Sequence, residues 1–251
     1  MKNKSFLNQI LFFTLFIAII LVANNFIKEF LLRNHITSYN IHLGVKTLSN
    51  CILGLVSFFT ARKLNLSTIG GLSNVKPKKL WLLIFPTLFL VLLNVLLMDL
   101  VPNYNSLNVF ILTIYCLSIG ISEELSVRSV LLPLLSNYFG NDRTAQIKAI
   151  VISALLFGLL HLIKFDKGIY GELSQVFFAT FIGLMFGALL IVTKRIYPLI
   201  IIHALIDFVA KLDSINLPVK EVVSISMDLE NSLLSVLLTL PCLLYGIYII
   251  K

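Results

Sequence analysis

Charge is scarce in this chain, and that scarcity excludes most water-soluble folds. Asp and Glu number 12 and Lys and Arg 20 among 251 residues; 13% of the chain is charged, 58% is hydrophobic, and the mean hydropathy is +0.97. A soluble domain normally carries about 25% charged residues. Cysteine is sparser still: Cys51, Cys116 and Cys242 stand alone inside apolar runs. That removes a disulfide framework or a cysteine-based metal cluster and leaves small apolar packing as their role. No internal repeat, low-complexity tract or matched pair of interrupted helices is present, which argues against a transporter built from repeats. The basic residues are scattered over connections and not gathered on one face, which argues against a nucleic-acid partner.

What the chain has in quantity is apolar sequence in runs long enough to cross a ~30 Å hydrocarbon layer. Spans are expected at roughly 6–26, 44–61, 80–99, 107–135, 148–163, 173–193, 198–211 and 232–250. This is an all-α polytopic membrane protein of about eight transmembrane helices in one bundle, a single domain over 1–251. The start MKNK followed by FLNQILFFTLFIAIILVA resembles a signal peptide, but the apolar run is long and no small-residue cleavage site stands out, so a retained anchor is expected. The fourth run is too long for one simple crossing, and a break is expected near Gly120. Gly183 and Gly187 form a G-x-x-x-G that should let the sixth helix approach a neighbour closely. The connection 62–79, with Gly70-Gly71 and Pro77, reads as a flexible linker. The connection 213–232 carries an apolar VVSIS patch suited to a partner or the membrane surface.

The basic residues then orient the bundle. With the N-terminus inside, twelve Lys and Arg fall in inner segments and seven in outer ones, with Arg128 left within the membrane. The excess predicts cytoplasmic termini at the cell membrane and contact of the net +8 charge with anionic lipid. Oligomeric state is left open.

An unpaired charge inside a span costs at least ~2.5–3.5 kcal/mol, so the few ionisable residues there carry the functional information. Glu123, Glu124 and Arg128 lie in the fourth span, His161 in the fifth, and His203 and Asp207 in the seventh. Glu124 and Arg128 are i,i+4 with the acid first, the favourable order for a helical ion pair. Glu123 is turned about 100° from Glu124 and is expected to point elsewhere, without a partner on its own helix. His203 and Asp207 are again i,i+4, so Asp207 is expected to fix the orientation of the imidazole. Counting ~1.5 Å per residue from the inner ends puts His203 about 10 Å deep, Glu123 about 18 Å and His161 about 20 Å, a spread that helix tilt must close.

One free carboxylate and two imidazoles in a dry pocket can activate water: the acid accepts a proton, one histidine holds the water, and the second stabilises an oxyanion on an attacked carbonyl. The same three side chains, Glu123, His161 and His203, also suit a divalent metal such as zinc with an open position for water. The residues alone do not choose between these versions. Ser122, Ser126, Ser129 and Ser153 lie nearby but form no nucleophile elbow or Ser-Lys pair.

The ordered set E-E-x-x-x-R at Glu123, Glu124 and Arg128, F-x-x-x-H at Phe157 and His161, and H-x-x-x-D at His203 and Asp207 resembles the CPBP family of intramembrane endopeptidases, which includes CAAX prenyl proteases and bacteriocin-processing and immunity proteins. The motif-bearing core covers about 107–211. The resemblance implies that Glu123 and His161 activate the hydrolytic water, that Glu124 pairs with Arg128, and that His203 with residue 207 supports the oxyanion. The family often has Asn at the last position, where an amide can donate; Asp207 donates only when protonated, so orienting His203 is the expected role. Phe157 is expected to pack at the site or in the core. The implied substrate is a peptide or membrane-associated protein. A chain rich in Lys, Asn and Ile suggests a bacterial source, with bacteriocin or pheromone maturation or self-immunity as the setting. The alternative is a non-catalytic immunity or scaffold protein that uses the same residues as a polar lock.

Overall fold

Hydrocarbon offers backbone amides no partner, so each apolar run must satisfy its own hydrogen bonds, and the runs become helices. The computed structural model describes residues 2–98, 105–140, 142–163, 167–215, 217–219 and 226–251. The helices are α1 (Lys2–Arg33), α2 (Tyr39–Lys63), α3 (Ile84–Leu97, entered through a 3-10 turn at Leu80–Leu83), α4 (Ser106–Glu124), α5 (Leu132–Phe139), α6 (Arg143–Leu160), α7 (Gly168–Thr193), α8 (Tyr197–Ala210) and α9 (Leu229–Ile250). Asn105, Asp142 and Asp228 cap α4, α6 and α9 by accepting from the N–H groups of Leu107, Ala145 and Asn231. Among the described residues, seven helical segments are long and apolar enough to cross a membrane, and the 14-residue α8 is a shorter apolar helix. The chain is thus an all-α, multi-pass membrane bundle. Lys164, Lys220 and residues 222–225 of the VVSIS patch lie outside the described residues.

Helix α7 is the centre of the bundle: 61% of its apolar window is buried, against 17% for α1, for the α3 segment and for α9. Those outer helices turn Phe12, Phe26, Leu96 and Leu237 outward, where lipid replaces water as the neighbour. The G-x-x-x-G acts as expected. A Cβ at Gly183 would stand 3.3 Å from the Ala154 backbone, and one at Gly187 would stand 3.0 Å from Ile150, so α6 lies directly on α7. Gly246 gives α9 the same closeness on the other side, 3.0 Å from Met185 Cα.

The fourth run departs from expectation. It is helical from Ser106 to Phe139, and Gly120 is no break. Instead the helix widens to a π turn over Leu125–Leu131, every residue of which is buried. Pro133 accounts for the place: it has no N–H to give the carbonyl of Ser129, and its ring would crowd that carbonyl in a regular α-helix. Such wide turns concentrate at functional sites.

The 62–79 connection is likewise no loose tether. Leu66 and Leu72 are buried in the main apolar core. Ser129 Oγ in the π turn donates to the Gly70 carbonyl at 2.7 Å, Ile196 N–H donates to the Gly71 carbonyl at 3.2 Å, and Arg195 donates to the Ser73 carbonyl at 2.8 Å. The two glycines are required sterically: a Cβ on Gly70 would meet Ser129 Cα at 2.8 Å, and Gly71 has φ +73°. The segment is wedged between the π turn and the α7–α8 corner, which fixes both.

Candidate active site

The site begins with a missing side chain. At Gly120 an added Cβ would stand 2.6 Å from the Ile200 carbonyl oxygen and 3.2 Å from Ala204 N, so α4 and α8 cross with their backbones in contact. One turn along each helix, that closeness sets His203 against both acids of α4. His203 Nδ1 lies 2.8 Å from Glu124 Oε1, and His203 Nε2 lies 3.6 Å from Glu123 Oε2. Glu123 therefore does not point away from its neighbour's partner. An imidazole carries its nitrogens on separate edges, so two acids 100° apart on one helix reach one ring. The depth gap between Glu123 and His203 counted from the sequence is closed by this crossing.

Glu124 Oε1 also pairs with Arg128 Nη1 at 3.2 Å, as the i,i+4 spacing predicts. Both side chains are out of solvent, at 0% and 1% exposure, whereas Glu123 is 27% exposed and His203 13%. The Arg128 guanidinium lies 4.8 Å from the Phe157 ring centroid and 5.7 Å from that of Phe186, so two π faces stand where water would otherwise solvate the cation. Phe186 also meets the His203 ring edge-on at 6.0 Å. Phe157 thus lies between Arg128 and His161.

His161 closes α6 and opens a 3-10 turn. Its ring stands edge-on to Phe157 at 4.9 Å, and its Nδ1 lies 2.9 Å from the Phe157 carbonyl oxygen. A carbonyl only accepts, so Nδ1 carries the hydrogen and Nε2 of the neutral ring keeps its lone pair. His161 joins the cluster through Phe157, which touches Arg128 on its other side.

Asp207 differs from expectation. Its carboxylate pairs with Lys211 Nζ at 3.0 Å, and the orientation of His203 comes from Glu124. Lys211 restores with charge what an uncharged amide at 207 would not need. The D-x-x-x-K spacing was visible in the sequence and obeys the same i,i+4 rule as Glu124 and Arg128. Phe186 carried no such signal, because its contacts with Arg128 and His203 are made between helices. As to a metal, among the described residues no three His, Cys, Asp or Glu side chains converge as an ion requires. Glu123, His161 and His203 as placed do not form a zinc tripod.

Residues 105–209 match the family described as type II CAAX prenyl endopeptidase, Rce1-like. The match opens at the cap of α4 and closes within α8, so it takes in every site residue from Glu123 to Asp207. No curated protein and no solved structure matches the chain.

Proposed function

We propose, for a chain whose residues 105–209 carry this Rce1-like endopeptidase domain, that it hydrolyses a peptide bond within the membrane with Glu123 as the general base. The observation that carries the reading is the division of labour between adjacent acids. Glu124 is sealed from solvent and occupied by Arg128 and His203, while Glu123 is accessible and only loosely engaged at 3.6 Å. A water beside Glu123 gives it a proton, and the hydroxide oxygen bonds to the substrate carbonyl carbon. The oxyanion collapses, the C–N bond breaks, and Glu123 returns the proton to the leaving amine. His203, tied at Nδ1 by Glu124, orients the Glu123 carboxylate, and His161 Nε2 accepts a hydrogen bond from the attacking water.

The substrate we propose is a peptide or lipid-modified tail at the membrane, in a bacterial setting of bacteriocin or pheromone maturation or self-immunity, with both chain termini in the cytoplasm. A gene for a small leader-bearing peptide beside this one would support that setting. The test of catalysis is Glu123→Gln against Glu124→Gln in the purified protein, read by cleavage of a fluorescent peptide ending in prenylated Cys and three apolar residues. Glu123→Gln should lose ~10²–10⁴-fold in kcat with normal membrane abundance. Full activity in that variant would overturn the assignment, and loss of the folded protein instead would favour the polar-lock reading.

A further inference from the structure

The segments at one end of the bundle, residues 1–5, 62–79, 140–148, 194–196 and 251, carry twelve Lys and Arg and one acid, Asp142. Hydrogen bonds tie several of them together: Lys78 N–H donates to the Thr193 carbonyl at 3.1 Å, Arg195 to the Ser73 carbonyl at 2.8 Å, and Arg143 to the Ile250 carbonyl at 3.0 Å. Among them opens a cavity of about 180 Å³. It is lined by Thr68 and Ile69 of the wedged segment, Ser136 of α5, Gln146 of α6, and Ile191 and Lys194 at the end of α7. Among the described residues no acid lines it; Asp142 stands beside Gly140 and accepts from Ala145 N–H as the cap of α6.

Lys194 takes φ +61°, a left-handed C-cap that glycine or asparagine ordinarily fills. Among the described residues its ammonium has no ion pair. Partial burial, together with the second cation Lys78, lowers its pKa. A cation at a helix C-terminus complements the dipole, which accounts for the sign of the charge but not for a cavity beside it. Two like charges beside a partly polar cavity leave positive potential for an anion to take up.

Depth decides which anion. The membrane-crossing run of α7 ends at Thr193, that of α4 and α5 ends at Phe139, and that of α6 begins at Arg143. The cavity thus lies where apolar sequence stops, the level at which lipid phosphates stand. Ile69 and Ile191 make part of its wall apolar, which suits the glycerol end of a lipid better than a free ion.

We infer that this cavity binds the phosphate headgroup of an anionic membrane lipid, with Lys194 as the charge partner and Thr68 as a hydrogen-bond donor. A headgroup seated there bridges the 64–79 segment to the end of α7, and so braces the wedge that holds the π turn and the α7–α8 corner. The inference stands without the peptidase reading, because neither the contacts nor the test involves cleavage.

The experiment follows the denaturation midpoint of the full chain, purified in a neutral detergent, as one of three probes is added. These are dioctanoyl phosphatidylglycerol, dioctanoyl phosphatidylcholine and inorganic phosphate. Phosphatidylglycerol should raise the midpoint saturably, and at concentrations at least about tenfold below those required of either other probe. Lys194→Asn, which suits the left-handed backbone, should raise the half-saturating concentration at least about tenfold. Lys194→Arg should keep the wild-type value, as should Lys148→Gln, which removes an exposed lysine from outside the cavity. An equal rise with phosphatidylcholine, or an unchanged phosphatidylglycerol response in Lys194→Asn, overturns the site. An equal response to inorganic phosphate overturns the lipid as the source of the anion.

Discussion

Alanine at Gly120 opposes two effects whose sizes the structure fixes. In a helix interior Ala is favoured over Gly by about 1 kcal/mol, so propensity alone predicts a more stable protein. The new Cβ, however, would sit 2.6 Å from the Ile200 carbonyl oxygen, and α8 must retreat by about 0.8 Å to restore 3.4 Å, where ordinary contact begins. The same retreat stretches the 2.8 Å contact of His203 with Glu124 to about 3.6 Å, beyond hydrogen-bond range, and carries the ring away from Glu123. A displacement near 1 Å at a catalytic group costs up to about 100-fold, or ~2.7 kcal/mol of barrier. Gly120→Ala should therefore lose ten- to a hundredfold in kcat/KM on the prenylated peptide, with the overpacking costing ~1–3 kcal/mol of stability. Gly44→Ala is the matched control: nothing stands within 4 Å of its added Cβ, so it should keep full activity and gain up to ~1 kcal/mol. Wild-type kcat/KM in Gly120→Ala would show that the α4–α8 contact does not set the site.

Removing Glu124 leaves Arg128 charged, buried and without a carboxylate, so Glu124→Ala should cost about 3–5 kcal/mol, read as the denaturant midpoint of the purified protein. Glu123→Ala, at a partly exposed acid with one loose partner, should leave that midpoint nearly unmoved. Gly71→Ala places a side chain at φ +73° and 2.8 Å from Ile196 N, and should lower stability by at least ~1–2 kcal/mol; an unchanged midpoint would mean that the 64–79 segment does not hold the α7–α8 corner. Dialysis against a strong chelator should leave kcat/KM intact, because the three side chains suited to a metal do not converge; loss that zinc restores would refute the metal-free proposal.

The sequence made some of this legible for a physical reason. Interactions within one helix are written in spacing, so Glu124 with Arg128 could be read directly, and the G-x-x-x-G at Gly183 and Gly187 marked a close approach without naming the neighbour. Asp207 with Lys211 obeys the same spacing, its lysine standing at the very end of the 198–211 run. Which side chains meet across two helices is not written in spacing. That His203 takes its orientation from Glu124 depends on how α8 crosses α4, and Gly120, read as a break, turned out to be the point of crossing. Glycine in an apolar run signals either a weak point or a close approach, and only the neighbour decides which. Pro133 lies in the same run, but its effect falls upstream, over 125–131, where the ring opposes the preceding carbonyls.

The segment from Leu64 to Lys79 has a consequence for what counts as the minimal unit. It lies wholly before residue 105, where the family likeness starts, yet its carbonyls at 70 and 71 anchor the turn that follows the two glutamates and the corner that launches α8. A fragment cut to the matched region would keep every motif letter and lose the clamp that aligns them. The alignment of the proposed site thus rests on residues outside the matched region, and replacing the 64–79 segment should alter catalysis even where no motif residue changes.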